Sequence, residues 1–444
     1  MAGKKKVEES ESLVGTISEA VQVLNTASEG GTMALFRGAE LSPQQKAKQE
    51  PFDRKKEIEG LISSINKNFK GEAVVRQGSE ITNVFMLRRP TGVTNLDLAI
   101  GGGVPAGGLT QIIGRFSAGK SYLVNRIFAE AQKNYGEEFA GSACMTEQRY
   151  DKHFAKWKCG VRIALSDAEI AVLERINREN GRPQFSDAEI VWLKDQVGYF
   201  TETIAANAEQ ILEIACQQVE SNLFQVVLID SFGALLTKAE AEAEEGLEQK
   251  HRGGAAMVVT QFMHRLHAAL NLPDKYGRPN TTAVVGINQY RDNVSDSARW
   301  NPMKVAGGNA LAHGKLLDIH LEGGSKIRHA VGNKENIIVG KEINWEILKG
   351  KAGCHDGPKG TYKFFNGEEG YGFGIDVYSD LLVAGLKTGI VQQAGSWYSY
   401  NGDKLGQGEA QVAVKLHEDD ALLQTIRKEI FKKAGLNFIV RENI

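Results

Sequence analysis

The sequence predicts an α/β protein. Its centre is a mostly parallel sheet flanked by helices, with an N-terminal helical module before it and a small α+β domain after it. Three observations predict this. Short apolar runs suited to buried strands recur at 109–113, 143–145, 226–229, 283–287 and 316–321. Segments with helical spacing separate the first four of them, as crossovers between parallel strands require. Between the first run and its helix stands Gly114-Arg115-Phe116-Ser117-Ala118-Gly119-Lys120-Ser121, which reads G-x-x-x-x-G-K-S, a phosphate-binding loop.

That loop carries specific chemistry. Its glycines let successive backbone N–H groups curl around an anion, and the following helix aims its positive end at the same point. Lys120 is expected to reach the β- and γ-phosphates of a nucleotide, and the Ser121 hydroxyl to ligate Mg²⁺. Gly114 to Ser121, with Tyr122 next to them, form the expected nucleotide-binding set. Val226-Val227-Leu228-Ile229-Asp230 is an apolar strand ending in an acid. In a doubly wound sheet the carboxyl ends of the strands face the ligand, so Asp230 is the second expected Mg²⁺ ligand.

Composition bounds the rest. At 444 residues the chain is too long for one ordinary core. A net charge of −2 means that any nucleic-acid contact must come from local basic patches. Cys144, Cys159, Cys216 and Cys354 stand far apart without a CxxC pair, so they read as reduced thiols of a cytoplasmic protein and suggest no zinc site. No apolar run reaches membrane-spanning length.

Taken in order, residues 1–50 read as a flexible extension with one short amphipathic segment at Leu13, Ile17, Val21 and Leu24. Residues 51–95 form a module whose stripe Ile58, Leu61, Ile62, Ile65 and Phe69 packs on this chain or on a neighbouring subunit. Residues 96–373 are the core. It carries an insertion at 162–198, where Ser166-Asp167-Ala168-Glu169-Ile170 recurs as Ser186-Asp187-Ala188-Glu189-Ile190. Each copy is a capping box, with hydrophobic staples expected between Leu165 and Ile170 and between Phe185 and Ile190. The insertion reads as a structural helical hairpin. Residues 374–444 read as the α+β domain, starting with Asp376–Gly385, passing through an aromatic, glycine-rich Gly395–Gly402 stretch and ending in a helix near 418–434.

The chain resembles the RecA family of ATP-dependent DNA strand-exchange proteins. The resemblance rests on Thr91-Gly92-Val93-Thr94-Asn95-Leu96-Asp97, the phosphate loop, Leu228-Ile229-Asp230-Ser231, Thr237-Lys238-Ala239-Glu240, Ile287-Asn288-Gln289 and Gly307-Gly308-Asn309-Ala310-Leu311. Gly395-Ser396-Trp397-Tyr398-Ser399-Tyr400 with Leu405-Gly406-Gln407-Gly408 matches the C-terminal domain of bacterial-type members. It implies a RecA-like P-loop ATPase core that binds ATP and Mg²⁺, forms filaments of itself on single-stranded DNA and pairs that strand with homologous double-stranded DNA. Partners of the single-strand-binding and loader kinds would accompany it, and no membrane. A ring helicase on the same fold and a regulatory ATP-bound filament are the rival readings.

The resemblance also assigns roles. Glu147 matches the glutamate that positions the attacking water, and Gln289 the glutamine that senses the γ-phosphate. Asp151 and Phe154 match the adenine contacts. Two mobile DNA loops match 240–253 and 290–306, both without strand or helix periodicity. The DNA-contacting set is then His251, Arg252, Gly253, Arg265, Arg291, Arg299 and Lys304, with Val294 as a wedge between bases and Gly307, Gly308 and Asn309 offering backbone amides. Lys349 and Lys351, at the end of the strand-like run 343–348, match a lysine pair that reaches the γ-phosphate of the adjacent subunit. Met257 and His264 replace family arginines, and the chain ends without an acidic tail. These departures fit a divergent member of the phage-encoded kind better than a typical bacterial one.

Overall fold

The structure is a computed structural model that describes residues 53–68, 75–76, 83–242, 254–292, 303–331, 334–368 and 370–436. The chain divides into two compact units, Met1–Ile81 and Thr82–Ile444. In the first, α1 (Arg54–Asn68) carries the predicted apolar spacing. The Asp53 carboxylate starts it by accepting from the N–H groups of Lys55 and Lys56 at 2.9 and 3.4 Å. Leu13 to Leu24 and Phe69 lie outside the described residues.

The second unit opens with β1 (Arg88–Arg89), α2 (Thr94–Ala99) and β2 (Val104–Pro105), which leads into β3 (Gly108–Gly114) and, across the glycine-rich loop, α3 (Lys120–Tyr135). Then come β4 (Ala140–Met145), α4 (Lys152–Cys159), the insertion helices α5 (Asp167–Glu179) and α6 (Asp187–Lys194), β5 (Tyr199–Thr203), α7 (Ala208–Glu220) and β6 (Val226–Asp230). After α8 (Lys238–Ala241) and α9 (Gly254–Asn271) follow β7 (Ala283–Asn288), β8 (Tyr290–Asp292), β9 (Met303–Val305) and α10 (Gly308–Gly314). The core closes with β10 (Leu317–Val331), β11 (Lys334–Gly350), β12 (Lys359–Asn366) and β13 (Phe373–Ile375).

A nine-stranded sheet runs in the order β13-β12-β11-β10-β3-β7-β6-β4-β5. From β10 to β5 all neighbours are parallel, and β11 to β13 extend the other edge antiparallel. Successive side chains face opposite sides, so each apolar strand feeds two cores. Leu228, Val285 and Ile287 pack with Leu123, Val124, Ile127 and Phe128 of α3. Val227, Ile229 and Val284 pack with Ile211 and Leu212 of α7 and Phe262 and Leu266 of α9. The sequence reading missed β5, because Tyr199-Phe200-Thr201-Glu202-Thr203 is an edge strand with little apolar content. Its anchor is Phe200, whose ring lies 5.0 Å from that of Phe128.

Both capping boxes of the insertion form, Ser166 with Glu169 and Ser186 with Glu189. The first staple joins a small core of Leu165, Ile170, Leu173, Phe185 and Leu193; Ile190 is not part of it, so the second staple differs from expectation. The hairpin also docks on α4. Lys152 pairs with Glu169 at 2.7 Å, and the Trp157 and Trp192 rings meet at 5.5 Å. Arg162, which leads into the hairpin, pairs with Asp195 at 2.6 Å.

The C-terminal region contains α11 (Val377–Thr388), the antiparallel β14 (Val391–Ala394), β15 (Trp397–Tyr400) and β16 (Asp403–Gln407), then α12 (Gly408–Glu418) and α13 (Asp420–Lys433). The helix predicted near 418–434 is α13; α12 precedes it, and at their junction Asp419 accepts from the Leu422 N–H at 2.9 Å. Leu381, Val391, Tyr398, Leu405, Val412, Ile426 and Ile430 form its core. The four cysteines are free and buried, and burial pushes the Cys159 and Cys216 thiols up to about 12. Among the described residues no helix is long and apolar enough to cross a membrane.

The C-terminal helices meet the core through buried acids. Asp380 accepts from the Asn95 N–H at 3.3 Å, and Asp97 accepts from Thr91 N–H and hydroxyl at 2.8 Å each. Arg427 lies 3.7 Å from Asp97. Burial raises both carboxyls to about 7, outweighing these partners. An unfolded aspartate titrates near about 3.9. The folded-state values lie above it, so this stabilisation is complete below the unfolded value and is lost as pH rises through about 7. Asp380→Asn keeps an acceptor but cannot ionise. Its melting temperature relative to wild type should therefore rise by at least about 2 °C between pH 5 and pH 8. A difference constant across that range in calorimetry would contradict this account.

Candidate nucleotide site

The phosphate loop sits where β3 turns into α3. A side chain at Gly114 would meet the Leu321 carbonyl at 2.2 Å, and Gly119 has φ +88°, so glycine is required at both. Lys120 is 8% exposed, and its ammonium donates to the carbonyls of Gly114 at 2.9 Å and Arg115 at 2.8 Å. Burial lowers its pKa, opposed by the charges of Asp230 and Glu147. The loop opens into a cleft lined by Ser117, Lys120, Ser121, Glu147, Asp230 and Gln289, and also by Asp151 and Phe154.

The strands bring these groups together. Met145 stands opposite Asp230 in the β4–β6 pairing. Just beyond, the Thr146 N–H donates to the Asp230 carbonyl at 2.7 Å, and the Ser231 N–H donates to the Thr146 hydroxyl at 2.7 Å. Glu147, next in line, accepts from the Gln289 amide at 3.3 Å and the Ser231 hydroxyl at 3.4 Å. Burial, aided by the Glu147 charge, raises the Asp230 carboxyl to about 6, while Lys120 pulls it down. Ser121 and Asp230 supply the oxygen donors that a hard cation takes, and a carboxylate kept partly protonated by burial gains most from one. Mg²⁺ therefore fits this donor set.

Asp151 caps α4 by accepting from the Phe154 N–H at 2.8 Å, which leaves one carboxylate oxygen outside that bond. The Phe154 ring lies 6.1 Å from Phe373 and 6.5 Å from Tyr122. Tyr122 packs its ring inward. It is 7% exposed, packs against Phe364 at 4.9 Å and is not among the cleft-lining residues. Its place after Ser121 turns it into the core, because a helix rotates by about 100° per residue. Three contributors were missed. Asn125 and Tyr150 line the cleft and hydrogen-bond each other. Asn125 was legible as the i+4 neighbour of Ser121, whose carbonyl it donates to at 2.8 Å. Lys341 donates to the Ser117 carbonyl from far along the chain, and no local pattern announces it.

The expected DNA set is less gathered. His251, Arg252, Gly253, Val294 and Arg299 lie outside the described residues. Arg291 belongs to β8 and Lys304 to β9, which pair antiparallel through Tyr290↔Val305 and Asp292↔Met303. The second loop is thus closed at its base by a ribbon, contrary to the expectation of no strand. Gly307, Gly308 and Asn309 open α10, with φ +101° and +69° at the glycines. Arg265 pairs with Glu213 and, at 3.6 Å, with Glu220. The Lys349 ammonium donates to the Ala312 and His313 carbonyls at 2.9 and 2.8 Å, with Lys351 just past the strand end.

Two substitutions test the cleft. Lys120→Ala should abolish ATP turnover, by about 10²-fold or more in a phosphate-release assay. Glu147→Gln keeps the shape and the Gln289 neighbour but loses the proton acceptor. ATP should bind within about tenfold of wild type while turnover falls about 10²–10⁴-fold. Normal turnover in the glutamine variant would assign the water to another carboxylate.

Comparison with known proteins agrees with the geometry. The family model of the RecA N-terminal domain matches residues 56–166 and 198–355, passing over the helical insertion, and that of the RecA C-terminal domain matches 379–435. The chain is 30% identical over 385 residues to Protein RecA of Thermus aquaticus, covering 86% of this chain and 95% of that protein. It is 31% identical over 391 residues to Protein RecA of Methylococcus capsulatus, covering 87% and 94%. With family models spanning most of the core and the C-terminal domain, and these relatives covered nearly end to end, the chain belongs to the RecA family.

Proposed function

We propose that this chain is an ATP-dependent homologous recombination protein. It assembles as a filament on single-stranded DNA and pairs that strand with a homologous duplex during DNA repair. The observation that carries this reading is the Gln289–Glu147 contact at 3.3 Å. It joins the carboxylate suited to orienting water to the residue that heads the 290–306 loop, so DNA on that loop and hydrolysis in the cleft share one hydrogen bond. The match of 379–435 to the RecA C-terminal domain favours a recombinase over a ring helicase.

In this reading the loop amides and Lys120 bind the phosphates, and Asp151 and Phe154 hold the base. Ser121 and Asp230 would hold Mg²⁺, which neutralises phosphate charge when bound. Glu147 orients the water and takes its proton. Residues 1–50 act as an extension, 51–95 as an oligomerisation module, 96–373 as the ATPase core with its 162–198 insertion, and 374–444 as the C-terminal domain. The loops around His251, Arg252, Gly253, Arg291, Val294 and Arg299, with Gly307, Gly308 and Asn309, contact DNA backbones and bases. The protein works in the cytoplasm, alongside single-strand-binding and loader proteins.

Lys349 and Lys351 complete the site of the adjacent subunit, where cations on the transferring phosphoryl group contribute roughly 10³–10⁵ in rate. Electron microscopy with single-stranded DNA and ATP should show helical filaments; closed rings would favour the helicase. Lys349→Ala/Lys351→Ala protein and Lys120→Ala protein should each be nearly inactive. Mixed on one DNA strand they should regain part of the ATPase, because some interfaces combine an intact loop with an intact lysine pair. Full activity of the double-lysine variant alone would refute the shared site.

A further inference from the structure

We propose that Lys341 is a positioning residue for ATP binding, holding the Ser117–Ala118 peptide of the phosphate loop from outside the cleft in the same subunit. The inference rests on the ATPase reading above. It starts from the length of the β10–β11 hairpin. Pairing of β10 with β3 ends at Leu321↔Gly114, where the phosphate loop begins. β10 nevertheless runs on to Val331, and β11 returns from Lys334. A register shift between Gly323 and Lys326 sets Lys341 opposite Lys326 on one side, and Phe364 of β12 opposes it on the other. The hairpin thus carries Lys341 past the end of β3, and its ammonium donates to the Ser117 carbonyl.

Ser117 needs such a support. Its φ of +58° lies in the left-handed region, which a residue with a side chain seldom adopts. In a planar trans peptide the C=O and the following N–H point in opposite directions. A donor fixed on the Ser117 carbonyl therefore fixes where the Ala118 N–H points, which here is toward the Arg115 carbonyl at 3.3 Å. Two lysines divide the loop between them. Lys120 holds the Gly114 and Arg115 carbonyls from inside. Lys341 holds Ser117 from a strand. It is not among the residues that line the cleft, so it acts through the loop and does not itself touch the nucleotide.

The test compares wild type with Lys341→Ala, Lys341→Gln and Lys341→Arg. It reads the affinity for a fluorescent methylanthraniloyl ATP, steady-state ATPase on single-stranded DNA and the melting temperature. Alanine and glutamine should raise the Kd and KM for ATP about five- to tenfold while kcat stays within about twofold, the signature of lost uniform binding. Arginine, which keeps a cationic donor of similar reach, should restore both to within about twofold. Wild-type affinity in folded alanine or glutamine variants, a fall in kcat at unchanged KM, or failure of folded arginine to restore binding would each overturn the assignment. Wild-type protein that binds no nucleotide would overturn the ATPase reading and this inference together. Wild-type binding that is lost in Lys120→Ala but unaffected in every Lys341 variant would overturn this inference alone.

Discussion

Parallel pairing of β3, β7, β6 and β4 is the constraint on which the rest depends. Parallel strands all finish on one edge of the sheet, so whatever follows each strand in sequence meets the others in space. Ile113 stands level with Asn288, and Met145 with Asp230. The residues just beyond those levels are Gly114, Gln289, Glu147 and Ser231. Four segments separated by as many as 175 positions in the sequence thereby become one site, with no loop having to travel. The two apolar faces of each strand hold this level fixed, since a slip of one residue would exchange the sides facing α3 and α7.

Within that frame, burial and charge oppose each other in a useful way. Lys120, Asp230 and Glu147 share a partly dehydrated cleft. Burial works against the charged forms of Lys120 and Asp230, and each of those two is partly restored by the other. The arrangement is costly for a resting protein and favourable for one that takes up a polyanion with its cation. Bringing Mg²⁺ beside Asp230 and phosphate beside Lys120 supplies the counter-charges that burial has removed in water's place.

How much was legible follows from the range of the interactions. The phosphate loop, the strand acid Asp230, the capping boxes and the core strands are encoded by neighbours in sequence, and the structure has them where the spacing says. Glu147 and Gln289 were legible only through resemblance, because each alone is an ordinary polar residue after a strand. Tyr122 follows the motif, yet its ring packs in the core, because helix rotation decides which way a side chain faces. The ion pairs of Arg265 were not legible, because its partners Glu213 and Glu220 sit on another helix. Lys341 left no trace at all in local pattern. Its role depends on how far a hairpin overshoots the sheet, and that is set by the β10–β11 register.

Lys349 is held by the same kind of long-range contact within one chain. In one chain its ammonium rests on the carbonyls of Ala312 and His313, in the last turn of α10. Helix carbonyls there lack intrahelical donors and carry the negative end of the dipole, so a cation is held well. The helix begins at Gly308, directly after the ribbon that closes the 290–306 loop. To serve a neighbouring phosphate, Lys349 must exchange two hydrogen bonds to that helix for contacts across the interface. Burial and the charges of Lys351 and Lys315 already disfavour its protonated form, which makes a polyanion a competitive partner. Lys349 is thereby tied to the short helix that follows the ribbon at the base of the 290–306 loop.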